Sequence, residues 1–159
     1  MRDFSRRPVL FLDVDGPLIP FGAPQIRSGM RLPEGTNPLL DRIDTRVGGW
    51  LSALPCDLVW ATSWMDDANE VISPILGLPE LPVVEWPDTD EEGPLHWKTR
   101  ALVDWAAGRS FVWVDDEITE HDRAWVSASH RGNALLHRVD PTLGLGSSDF
   151  TTIAAWLAG

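Results

Sequence analysis

Asp13 and Asp15 close an apolar run, Val9–Val14, and Gly16 follows at once. Side chains alternate faces along a strand, so both carboxylates lean one way while Val14 turns the other. Two like charges that close call for a proton, or for a cation between them. The plainer alternative is a strand that ends in an Asp-Gly turn. Thr62 and Ser63 end a second apolar run, and Asp115 with Asp116 ends a third. Up to four carboxylates, Asp13, Asp15, Asp115 and Asp116, would then meet. A hard divalent cation resolves their repulsion, and Mg²⁺ suits the task because it keeps waters and adds a phosphate oxygen to its shell. Thr62 and Ser63 offer hydroxyls to the other phosphate oxygens, and Lys98 offers a balancing charge, with Arg100 as its competitor. A carboxylate can attack phosphorus itself, giving an aspartyl-phosphate. Asp15 can then protonate the leaving oxygen and later activate water. His96 beside Trp97 suits a structural role, and His121, His130 and His137 lack metal-ligand spacing.

Such residues need a scaffold that brings strand ends together. Four runs have strand character: Val9–Val14, Leu58–Thr62, Phe111–Val114 and Ala134–Val139, with a weaker fifth at Leu81–Glu85. Most are apolar on both faces, the mark of a parallel sheet covered on each side. Helical spacing lies between them, in Leu40–Leu54, in Ala68–Ile75 (which Pro74 should kink or split) and around Leu102–Ala106. Thr119 with Asp122 forms a capping-box pattern, and Phe150–Leu157 is the last amphipathic stretch, with Ser147 or Ser148 as its cap. Alternating strands and helices predict an α/β fold: a Rossmann-like three-layer sandwich with a mostly parallel five-stranded sheet and helices on both faces. In such sheets ligands gather at the carboxyl ends of the strands, where these polar residues fall. Residues 17–33 suggest a short flap over that edge, and 86–95 an acidic surface loop.

The chain has 159 residues, enough for one domain, taken here as 1–159. Its net charge of -11 argues against a broad electrostatic grip on nucleic acid or an anionic membrane, although Arg2, Arg6 and Arg7 make a small basic patch. Cys56 is the only cysteine, which excludes an internal disulfide and a thiolate zinc site and leaves a small core residue. No stretch is long and apolar enough to cross a membrane and the N-terminus has no apolar signal core, so a cytoplasmic protein is expected.

Taken in order, Asp13-Val14-Asp15-Gly16, Trp60-Ala61-Thr62-Ser63, Lys98 and Val114-Asp115-Asp116 resemble the four motifs of the haloacid dehalogenase (HAD) superfamily of phosphohydrolases. The resemblance implies that Asp13 is the nucleophile and Asp15 the general acid/base. It implies that Thr62 binds phosphate and Lys98 steadies it, and that Asp115 with Asp116 completes a Mg²⁺ site with Asp13 and the backbone carbonyl of Asp15. Pro17 departs from the Thr or Val usual after the glycine and offers neither a hydroxyl nor an N–H. The intervals after the first and second motifs are too short for a large cap domain, so the chain looks like a capless member. Such open sites often imply a large phosphorylated substrate or a partner that covers them. Leu58–Trp64, Asn69 and Leu76-Gly77-Leu78-Pro79 are similar to small capless members associated with RNA repair. Three functions follow: a Mg²⁺-dependent phosphatase, a phosphatase or phosphotransferase for nucleic-acid ends, and a non-catalytic binding module.

Overall fold

The computed structural model describes residues 7–21, 40, 42–87 and 93–159. Four short strands form one parallel sheet: β1 (Val9–Leu12), β2 (Asp57–Trp60), β3 (Phe111–Asp115) and β4 (Ala134–Arg138), in the order β2-β1-β3-β4. Five strands were expected. The fifth, Leu81–Glu85, makes a single bridge between Val83 and Trp60. Pro82 explains why. Its carbonyl accepts from Trp60 N–H at 2.9 Å, but it has no N–H to carry the ladder further.

The helices are α1 (Arg46–Ser52), α2 (Ser73–Leu76), α3 (Thr99–Ala106), α4 (Glu120–Ser129) and α5 (Ser147–Ala158). A π-helical turn, Ala68–Ile72, leads into α2. The break falls where Pro74 removes a helical N–H. Helix α1 is shorter than the Leu40–Leu54 periodicity, because the Asp44 carboxylate takes the Arg46 N–H at 3.1 Å and starts the helix there. Helix α4 begins at the expected capping box, with Thr119 and Asp122 exchanging bonds. Gly146, rather than Ser147 or Ser148, is the N-cap of helix α5. Its first orphan N–H, on Gly146, is taken by Asp149 at 2.8 Å.

Strand alternation sorts the core into two faces. Leu10, Leu12, Val112 and Val114 pack with Val47, Leu51, Ile72 and Ile153 under α1, α2 and α5. Val9, Phe11, Phe111 and Trp113 pack with Leu102, Ala106 and Val126 under α3 and α4. The result is the three-layer arrangement. The chain leaves β1 toward β2 and returns past it to β3, so the order reverses between β1 and β3. A reversal of this kind opens a crevice at the carboxyl ends of the two strands. The expected flap at 17–33 lies mostly outside the described residues, as does the centre of the acidic loop. Among the described residues no helix is long and apolar enough to cross a membrane.

Candidate active site

The crevice between β1 and β3 holds the acidic residues. Leu12 pairs with Val114, which sets Asp13 beside Asp115, and Asp13 N–H donates to Val114 carbonyl at 3.2 Å. Asp13, Asp115 and Asp116 can each turn an oxygen into a group lying within 4.8 Å. Lys98 comes in from the start of α3. Its Nζ lies 3.1 Å from Asp13 Oδ1, 2.9 Å from Asp115 Oδ2 and 2.8 Å from the Ala61 carbonyl. Three acceptors match three ammonium protons, so this buried lysine is fully engaged by the protein. Asp13 Oδ1 also accepts from Val14 N–H at 2.8 Å, which fixes the carboxylate plane. Trp113 Nε1 and Glu117 N–H hold the two oxygens of Asp115 at 3.2 and 3.1 Å.

Burial and neighbouring charge shift two of these carboxyls. Burial, opposed by Lys98 and reinforced by Asp115, pushes the Asp13 carboxyl up to about 7. Burial and then the neighbouring Asp115 push Asp116 up to about 6. Buried carboxylates brought this close together are what a hard divalent cation relieves, so Asp13, Asp115 and Asp116 fit Mg²⁺.

Asp15 is placed differently. β1 ends at Leu12, so strand alternation does not run through to Asp15. Its carboxylate lies outside the group of three and accepts from Trp64 Nε1 at 3.2 Å. Thr62 is fully buried at the end of β2, and its hydroxyl accepts from Trp64 N–H at 3.2 Å. Ser63 is exposed. Cys56 is buried below β2, and burial pushes its thiol up to about 11, in keeping with a core residue. Arg7 lies at the opposite end of the sheet, paired with Asp57 at 3.7 Å, so it adds nothing to the carboxyl edge.

The turn after Asp15 needs glycine twice over. Gly16 has φ +99°, and a Cβ there would sit 2.7 Å from Asp116 Cγ. Gly16 N–H donates to Ile19, and Leu18 and Ile19 N–H both donate to Val14. The turn therefore closes without a donor at residue 17, and the Pro17 carbonyl accepts from Leu145 at 2.8 Å.

Two supporting contacts are not legible in the motifs, although Trp64 closes the quoted stretch Leu58–Trp64. Trp64 links the second loop to Asp15, and nothing in its spacing announces that bond. Asp122, read only as a cap, is buried, accepts from His96 N–H at 2.8 Å and Thr99 Oγ1 at 2.7 Å, and so grips both residues near Lys98. His96 itself accepts from Lys98 N–H through Nδ1 at 3.1 Å and meets Glu117 through Nε2 at 3.0 Å, the structural role expected of it. Asn69, singled out in the sequence, bonds Trp60 Nε1 and both backbone groups of Leu81, tying the π-turn to the segment beside β2.

The family described as HAD domain in Swiss Army Knife RNA repair proteins matches residues 9–150. No curated protein and no solved structure matches the chain.

Proposed function

We propose, for a chain that belongs to the HAD domains of Swiss Army Knife RNA repair proteins, a Mg²⁺-dependent phosphomonoester hydrolase that works through an aspartyl-phosphate. One observation carries the proposal: three carboxylates share one crevice, with Lys98 bridging Asp13 and Asp115. Asp13, Asp115 and Asp116 would hold the cation, with the backbone carbonyl of Asp15 as a further oxygen. When bound, Mg²⁺ would neutralise the carboxylates and the phosphate oxygens, so that one anion can approach another.

The chain's own residues supply the rest. Asp13 is the nucleophile: it occupies the first position of the leading motif, and Val14 N–H and Lys98 both engage its Oδ1, which leaves its other oxygen to attack. Its free oxygen attacks phosphorus as the bond to the leaving oxygen breaks. Asp15 gives its proton to that oxygen. The resulting Asp15 carboxylate takes a proton from water, and the water attacks the phosphoryl group on Asp13. Phosphate leaves and both residues return to their starting state. Asp15 suits the shuttle because it stands outside the metal-binding group and is oriented by Trp64. Thr62 and Ser63 would bind phosphate oxygens at the end of β2. Lys98, already paired on three sides, steadies the nucleophile and Asp115 as charge builds.

The family's association with RNA repair favours one refinement, a phosphorylated nucleic-acid end as the substrate. A screen of aryl phosphates with Mg²⁺ should give clear turnover in the wild type and none in Asp13→Asn of unchanged far-UV circular dichroism. Turnover kept by Asp13→Asn would refute the mechanism. Comparing end-phosphorylated oligonucleotides with mononucleotides tests the refinement, and equal rates on both would count against it.

A further inference from the structure

A groove of about 670 Å³ lies between α3 and the segment Val84–Pro87. Three indoles line it, Trp86, Trp97 and Trp105, together with Arg100. Its size is in the range of small-molecule sites. Two of the indoles are built into the phosphate end. Trp86 Nε1 donates to the Thr62 carbonyl at 3.1 Å. Trp97 precedes Lys98, and Lys98 Nζ lies 5.3 Å from its ring centre. The two rings stand edge to face, 5.0 Å apart at 81°. His96 stacks on Trp97 at 5.3 Å, yet Trp97 remains 52% exposed. A large indole held this firmly and left half in water keeps aromatic surface within reach of a ligand.

We propose that this groove is a nucleobase subsite, which stacks the base next to a terminal phosphate held at Asp13. The inference rests on the phosphatase proposal for the position of the phosphate. Indole faces stack on any base and so suit a strand end of arbitrary sequence. The charge pattern limits how much of the strand is held. Glu85 and Asp104 line the groove beside Arg100, and the chain carries a net charge of -11, so backbone phosphates gain little there. The subsite therefore takes one or two bases by stacking, and its affinity depends weakly on salt.

The test is fluorescence anisotropy of a short single-stranded RNA with a terminal phosphate, against the same RNA lacking its terminal base. The full chain carrying Asp13→Asn, with Mg²⁺, prevents turnover. Removing the base should weaken binding about tenfold, as should Trp97→Ala with the base present, while Trp97→Phe keeps most of the affinity. Trp97 is half exposed, so these variants should fold, and circular dichroism checks it. Equal affinity for the two RNAs, or no loss in Trp97→Ala, would overturn the subsite. Competition by a proline-rich peptide but not by a mononucleotide would overturn it too. In the wild type, adenosine (which has no phosphate to lose) should shift the indole N–H signals of Trp86 and Trp97. Unmoved signals would again contradict the subsite, whatever the turnover assay says about Asp13.

Discussion

At the residue scale, the site depends on side chains that hold other side chains. Asp15 shows this most simply, since a carboxyl proposed to give and take a proton needs a fixed direction. Trp64 supplies it with one N–H to Oδ2. A hydrogen bond to a charged group contributes about 1.5–3 kcal/mol. Trp64→Phe keeps the ring and deletes the donor, so kcat should fall about tenfold or more with little change in KM. Steady-state kinetics on an aryl phosphate decide it, and an unchanged kcat would mean that Trp64 does not orient Asp15. Asp122 works through two residues at once. Burial alone would raise its pKa, but bonds from Thr99, His96 and Thr119 outweigh burial and hold it below the ordinary value of 3.8. A carboxylate lowered in this way stabilises the fold above pH 3.8, and the stabilisation fades as pH falls through the folded value. Asp122→Asn should cost about 2–3 kcal/mol near neutral pH, from broken bonds to a buried acceptor. Urea titrations should show that difference constant down to roughly pH 5 and shrinking below 3.8. A difference that grows in acid would contradict this.

At the element scale, the sequence carried most of the positions but not the ends. Apolar runs located all four strands, because strands buried on both faces need continuous apolar sequence. Pro74 marked the helix break and Thr119 with Asp122 marked a helix start, since each acts through its own backbone chemistry. The fifth strand failed because β-branched residues suggest a strand while Pro82 removes the donor that would extend one. The early end of β1 could not be seen either. Asp13 and Asp15 share a period, but their partners, the acidic cluster for one and Trp64 for the other, are set by contacts 49 to 103 residues away in sequence. Close approach of α1 to α2 was also hidden. A Cβ on Gly48 would meet the Leu76 carbonyl at 1.9 Å, whereas one on Gly49 would meet nothing within 4 Å. Gly48→Ala should therefore destabilise by about 2–3 kcal/mol through overpacking. Gly49→Ala, on the exposed side, should stabilise by about 0.5–1 kcal/mol through helix propensity. Thermal melts of the pair test the packing, and equal effects would contradict it.

At the scale of the whole molecule, the strand order makes one crevice, and the motifs meet there although they lie far apart in sequence. Three of the ordered motifs were legible because they follow strand ends, which converge in a sheet of this kind, while Lys98 reaches the same edge from the start of α3. The groove beside α3 was not legible, because Trp86, Trp97 and Trp105 have no common period and meet only through the fold. A cation in the crevice should stabilise the whole chain by binding the folded state alone. Saturating Mg²⁺ should raise Tm by about 5–10 °C over an NaCl control of equal ionic strength. Asp116→Asn should lose much of that shift, and a shift of full size in the variant would exclude Asp116 as a ligand.

The central claim is a covalent bond between Asp13 and phosphorus. It is tested most directly by quenching the enzyme in acid during turnover, digesting it and locating the phosphoryl group by mass spectrometry. The expected result is one hydroxylamine-labile phosphoryl group on Asp13, absent from Asp13→Asn, which is also inactive. Phosphate release by the wild type with no label on Asp13, or turnover that survives in Asp13→Asn, would contradict it.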